Sequence, residues 1–428
     1  MPVDKPPLTF YSTALSFKLF SDPSEWAARL PNFYASTLSL AVLWSLARRL
    51  YQSRPVALLA MLILALAPLP VAFSGTVYTD PQVTLWVLLA CLMAVRNNWG
   101  WAGLFAGLAF ASKQSAIQFV PLILALGIAL NHHQLKLKLL RFSLVFGVML
   151  LAPFLWDMMR LDSANWWALG SVNNSPGRFI RADEVNPRLN TLWNTIRTGL
   201  GNSFPAALLL SSVILLLAAL KKRTARRQSL IDIILLAYCL GYVAVYWLIA
   251  FNLYDRYLYP LLPLFALLIA RGLTELPKLL NIPQSRRTTA VLLTILLLVM
   301  LPTAVQTRSA QTPLNTVNAH HSGIVETANY LNTLPPGTIV YDHWLGWLLG
   351  WYTGQNRPPD MWLRSVYYPT PETLVAGALQ QPDPLPRYFV VPDWAWSTPW
   401  LPTLIEADIT LEIAAHYGQF TIYRLEMP

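Results

Sequence analysis

The sequence predicts an all-α polytopic membrane protein, with about ten transmembrane helices and a small C-terminal extracytoplasmic α/β domain. Two observations carry the helical part. Of 428 residues, 55% are hydrophobic and only 12% charged, about half the roughly 25% charge of a soluble domain. The apolar residues also fall in blocks near the length of a bilayer crossing, about 17–25 residues each. The C-terminal domain follows from a third observation: beyond residue 305 the blocks stop and the pattern becomes that of a soluble chain.

Taken in order, residues 9–30 mix aromatic residues with Lys18 and the break Ser21-Asp22-Pro23, which reads as an interfacial helix and loop. Spans are expected at about 31–47, 55–73 and 82–95, stopped by Arg48-Arg49, the turn Val77–Pro81 and Arg96. Residues 99–131 form one apolar stretch with Lys113 in its middle. A lysine at the bilayer centre costs roughly 2.5–3.5 kcal/mol, so two short helices with Ser112-Lys113-Gln114 at the turn are the cheaper arrangement. Further spans are expected at about 139–156, 205–220, 230–250, 258–270 and 289–305, with a polar segment at 157–204. After residue 306, helices are expected at 323–334 and 371–381. Strands are expected at 338–341 and 388–391, and a hairpin over 409–416 and 419–425. The domains are therefore 1–30, an outer loop and interfacial helix; 31–305, the transmembrane domain; and 306–428, the outer α/β domain.

Charge orients the chain. Placing loops 48–54, 96–98, 132–141, 221–229 and 271–288 in the cytoplasm collects sixteen Lys and Arg there. The opposite loops hold seven, five of them within the long segment 157–204, where charge has less influence on topology. The net charge of +10 is thus explained by topology, which removes nucleic acid as a partner. Cys91 and Cys239 both fall inside apolar helices, so no disulfide framework is expected. No charged-then-apolar signal peptide follows Met1.

On this topology Asp4, Lys5, Asp80, Lys113, Asp255 and Arg256 gather at the outer face. Singly each reads as an interfacial residue that snorkels; jointly they mark a polar cavity beside the membrane. Such a set suits transfer from a lipid phosphate. Lys5, Lys113 and Arg256 would neutralise the phosphate leaving group. Asp80 or Asp4 would take a proton from the acceptor hydroxyl, or hold a divalent metal ion. Pro6-Pro7 fixes an extended entry for Asp4 and Lys5. His343, at a strand end, reads as a capping or buried residue, and Trp344, Trp347 and Trp351, at helical spacing, as residues that dock the domain onto the membrane or its own core.

The order of motifs resembles the GT-C membrane glycosyltransferases of the protein mannosyltransferase and aminoarabinose transferase type. The resemblance spans most of residues 3–305. It rests on Asp4-Lys5-Pro6-Pro7-Leu8, Trp26–Pro31, Thr79-Asp80-Pro81, Gly103-Leu104 through Ser112-Lys113, and Tyr254–Leu258 with Pro260 and Pro263. It implies transfer of a sugar from a polyprenyl-phosphate carrier to a lipid or protein acceptor outside the cytoplasm, at the plasma membrane. By the same resemblance Lys5 and Arg256 contact the carrier phosphate, and Asp80 is the acid after the helix hairpin. The family opens with a further helix and an acidic outer loop. Neither precedes Asp4 here, so a truncated or mis-started chain, or a degenerate paralogue, is expected. The competing expectations are a transporter or flippase of lipid-linked material, or a non-catalytic scaffold.

Overall fold

A computed structural model describes residues 5–21, 23–131, 133–160, 165–174, 178–220, 226–250, 253–283, 285–309, 321–342, 345–354, 364–367, 370–380, 386–393 and 399–428. The chain divides into two compact units, Met1–Asn318 and Ala319–Pro428.

The first unit is helical. Its helices are α1 (Leu8–Phe20), α2 (Glu25–Tyr51), α3 (Arg54–Leu66), α4 (Pro68–Ser74), α5 (Asp80–Val95) and α6 (Trp99–Ser112). A 3-10 segment, Gln114–Phe119, leads into α7 (Val120–Leu130), followed by α8 (Leu135–Met158), α9 (Trp166–Asn174) and α10 (Val185–Leu200). Then come α11 (Phe204–Leu220), α12 (Arg226–Leu248) and α13 (Asp255–Leu258). A further 3-10 turn, Tyr259–Leu261, joins α13 to α14 (Leu262–Leu279), and α15 (Arg286–Arg308) closes the unit. Each expected span falls within one of these helices or helix pairs. Among the described residues, four helices are long and apolar enough to cross a membrane alone: α8, α12, the run Asp255–Leu279, and α15. Counting the bent pairs α3/α4 (60°) and α10/α11 (97°) raises the number to six. The chain is a multi-pass helical membrane protein.

Burial separates central from peripheral helices. The apolar window of Asp255–Leu279 is 89% buried, against 11% for α8 and 17% for α15. Asp255–Leu279 is therefore the central post, apolar through the stretch Leu258–Ala270 and charged only towards its two ends. Close approach is achieved with small residues. A Cβ on Gly272 would lie 2.3 Å from the Cβ of Ser211 on α11, and one on Gly107 would lie 2.2 Å from the Cβ of Met149 on α8.

The helix expected before residue 31 is α1, which ends at Phe20 next to the expected break, but the span expected from residue 31 begins six residues earlier. α2 starts at Glu25 and runs through Pro31. Proline lacks an N–H, so the carbonyl four residues earlier loses its helical donor. Here that carbonyl belongs to Ala27, and the buried Ser16 hydroxyl of α1 donates to it at 2.6 Å. α1 thus repairs the bond that Pro31 breaks, and the helix passes through.

Far along α2 from that repair, a buried ionic cluster joins three helices. Tyr51 of α2 donates to Asp232 of α12 at 2.7 Å. Arg271 of α14 bridges Asp232 at 3.2 Å and Glu275 at 2.6 Å, with its guanidinium 4.6 Å from the Tyr51 ring. Lys278 completes the set at 2.7 Å from Glu275.

The second unit carries a sheet in the order β2-β1-β3-β5-β4. Its strands are β1 (Ile339–Asp342), β2 (Arg364–Tyr367), β3 (Arg387–Pro392), β4 (Thr410–Tyr417) and β5 (Phe420–Glu426). β1 runs parallel to β2 and β3, while β5 is antiparallel to β3 and β4. Successive residues of β1 and β3 enter opposite cores, Tyr341 and Phe389 on one face, Val340 and Val390 on the other. Helices α16 (Ile324–Asn332), α17 (Gly346–Gly354), α18 (Pro371–Gln380) and α19 (Trp400–Glu406) complete the unit. The expected strands, the hairpin and two of these helices are present. β2, α17 and α19 were not anticipated, being short or built of glycine and tryptophan. His343 and Trp344 lie outside the described residues.

Candidate active site

Four of the five site residues expected from sequence converge at one end of the helical unit. Asp80 is the first residue of α5, where a carboxylate faces the positive end of the helix dipole. Lys113 is the residue that ends α6, where an ammonium faces the negative end. Their charges meet at 2.7 Å, with side chains 2% and 8% exposed respectively. A lysine that would be costly at the bilayer centre is thus paired inside the protein.

Only Asp80 Oδ1 is used by that ion pair; Asp80 Oδ2 is buried and makes no hydrogen bond. Arg256, half-buried at the start of the central post, brings the second cation. Its guanidinium lies 5.6 Å from the Tyr78 ring, 5.1 Å from Tyr254 and 5.6 Å from Tyr257. Its Nε is buried without a hydrogen-bond partner. The Lys113 ammonium sits 5.1 Å from the other neighbour of this arrangement, the Tyr257 ring. The charges of Arg256 and Lys5 both act on Lys113, and that of Asp80 acts on Arg256. Lys5, Asp80, Lys113 and Arg256 therefore form one electrostatic group, with cations in excess. Asp4 lies outside the described residues.

Aromatic rings build the wall of this group. Tyr246 stacks on Tyr242 at 4.8 Å and meets Tyr257 at 5.5 Å. Tyr242 donates to the Tyr257 carbonyl at 2.9 Å. Arg188 of α10 donates to the carbonyls of Tyr246 (2.9 Å) and Trp247 (3.3 Å), closing the end of α12. Burial pushes the Tyr78 hydroxyl above the usual tyrosine range, with Arg256 opposing, so Tyr78 remains a proton donor at neutral pH. The tyrosine shelf was missed in the sequence, although Tyr238, Tyr242 and Tyr246 recur at four-residue spacing on one helix face. Asn32 and Gln82, which hold the loop before Asp80, were also missed. Single amides in an apolar helix give no periodic signal.

The residues described do not fit a divalent metal ion. Among them no three His, Cys, Asp or Glu side chains converge, and Asp80 already shares an oxygen with an ammonium. The arrangement suits an anion instead. A cavity of about 190 Å³ lies elsewhere, between the breaks of α3/α4 and α10/α11, lined by Pro68, Asn202, Ser203 and Met300.

The residues gathered here, Lys5, Asp80, Lys113 and Arg256, belong to the motifs on which the resemblance to membrane glycosyltransferases rests. Residues 4–156 match the family model for dolichyl-phosphate-mannose-protein mannosyltransferase. The chain is also similar to the undecaprenyl phosphate-alpha-4-amino-4-deoxy-L-arabinose arabinosyl transferase of Pectobacterium carotovorum. The two are 28% identical over 159 residues, which is 34% of this chain and 28% of that protein. The enzyme of the same description from Pseudomonas aeruginosa PAO1 is 25% identical over 198 residues, 43% of this chain and 36% of that one. The chain thus covers about a third of the length of these relatives. Among solved structures, the apo oligosaccharyltransferase of Archaeoglobus fulgidus shares the fold, with a TM-score of 0.57 and 12% identity. That match covers 98% of this chain and 66% of that one. The same archaeal enzyme in complex with an inhibitory peptide and a dolichol-phosphate matches with a TM-score of 0.55.

Proposed function

We propose that this chain transfers a sugar from a polyprenyl-phosphate carrier to a hydroxyl acceptor, lipid or protein, on the extracytoplasmic face of the plasma membrane. The observation that carries the reading is the buried Asp80–Lys113 ion pair with one unused carboxylate oxygen, with the Lys113 and Arg256 cations against the same Tyr257 ring. The relatives' descriptions, which name undecaprenyl phosphate and dolichyl phosphate, support the same substrate class.

In this mechanism Arg256 and Lys5 hold the carrier phosphate, and the Arg256 Nε–H supplies a donor to a phosphate oxygen. Lys113 bridges base and phosphate, fixing Asp80 through Oδ1. Asp80 Oδ2 takes the proton of the acceptor hydroxyl as that oxygen bonds to the anomeric carbon. The bond between that carbon and the phosphate oxygen breaks, and its electron pair leaves on the phosphate, where the cations stabilise the charge. The reading includes about ten spans, the site and Ala319–Pro428 outside the cytoplasm, and Asp4 as a second acid.

The experiment is transfer from a labelled polyprenyl-phospho-sugar by the purified chain and by Lys5→Ala, Arg256→Ala and Asp80→Asn. Loss of transfer in Arg256→Ala and Asp80→Asn is expected; unchanged transfer in all three would sink the assignment. A carrier of lipid-linked material is the second reading. The two bent helix pairs around the 190 Å³ cavity favour it. Lipid movement across vesicles without sugar transfer would select it.

A further inference from the structure

The loop between α4 and α5 delivers two residues to the site, Tyr78 beneath Arg256 and Asp80 beside Lys113. Its backbone is held by one side chain from another helix. Asn32, 1% exposed and one residue beyond Pro31, donates through Nδ2 to the carbonyls of Thr76 at 2.8 Å and Tyr78 at 2.6 Å. Its Oδ1 accepts from Gln82 Nε2 at 3.1 Å. Gln82 Nε2 also donates to the Ser12 hydroxyl at 2.9 Å, which donates onward to the Thr9 carbonyl at 2.8 Å.

Both N–H donors of Asn32 are therefore spent on the loop, and its oxygen fixes which way the amide faces. Gln82 stands two residues after Asp80, and Ser12 stands on the helix that begins three residues after Lys5. Three chain segments, α1, α2 and the loop leading into α5, thus meet on two amides, and two of them carry members of the cationic group. A network in which each donor is matched is rigid and specifies one geometry.

We propose that the Asn32–Gln82 amide relay is a positioning device for the transfer reaction, and that Asn32 is its determining residue. The relay fixes the Tyr78–Asp80 backbone, so that Asp80 Oδ2 is presented at the reacting position while the phosphate-holding cations keep their places. This rests on the functional reading above. Asn32→Asp keeps the shape but sets a carboxylate against two carbonyls. Gln82→Glu, the milder variant, leaves Asn32 in place and removes its support.

The test measures two quantities in each full-length variant: hydrogen–deuterium exchange over residues 75–82, and kcat against KM for a polyprenyl-phospho-sugar. Exchange should rise at least about tenfold over this segment only. kcat should fall by up to about a hundredfold, the effect of a misplacement near 1 Å, with KM within about threefold of wild type. Unchanged exchange in both variants overturns the relay, whatever the activity. Raised exchange with unchanged kcat, where Asp80→Asn abolishes turnover, overturns the positioning role. If wild type gives no transfer, the transferase reading fails, and if Asp80→Asn transfers normally, Asp80 is not the base; in either case the exchange arm alone decides the relay.

Discussion

Asp80 and Lys113 show how a costly residue becomes a specific one. Each is buried, and each is placed where a helix dipole favours its charge. Removing one partner of a buried pair leaves an unpaired charge and costs about 3–5 kcal/mol, whereas replacing both by neutral groups is close to neutral. The prediction is that Asp80→Asn and Lys113→Met each lower the melting temperature, and that the double variant regains most of the loss. Thermal unfolding in lipid nanodiscs checks it; additive losses would show that the pair is not coupled. These two residues were legible in the sequence because a charge inside an apolar run stands out. Asn32 was not legible, because its value lies in two loop carbonyls that are 44 and 46 residues away.

At the scale of elements, α2 and the central post Asp255–Leu279 each carry a site contact near one end and the ionic cluster further along. α2 holds Asn32 and, about 28 Å further along, Tyr51. Arg256 and Arg271 stand about 22 Å apart along the central post, at 1.5 Å per helical residue. Arg271 is the keystone of the cluster, being within 3.2 Å of two buried carboxylates. Arg271→Met should therefore cost about 3–5 kcal/mol, read as a lowered unfolding midpoint. A variant as stable as wild type would contradict the clasp. Sequence pattern located these helices well, including the turn at Lys113. It failed at α2, where Pro31 argues for a boundary. The helix continues because Ser16, on a different helix, replaces the missing donor. Pattern within a window cannot register a partner outside it.

At the scale of the molecule, composition alone separated the membrane helices from the α/β unit, because hydrocarbon thickness fixes block length. The number of crossings was less legible. α5 and α6, with 16 and 14 residues, are shorter than a full bilayer crossing at 1.5 Å per residue. The family-model match over residues 4–156 includes Lys5, Asp80 and Lys113. Arg256 comes from the central post, beyond that match, so the site draws on both parts of the helical unit. The central claim is that this site holds a polyprenyl phosphate. Equilibrium binding of a polyprenyl phosphate and of the matching uncharged polyprenol, to wild type and to Arg256→Ala, tests it most directly. Wild type is expected to prefer the phosphate by at least about tenfold, near 1.4 kcal/mol, and Arg256→Ala to lose the preference. Equal affinity for alcohol and phosphate in wild type, unaltered by the substitution, would contradict it.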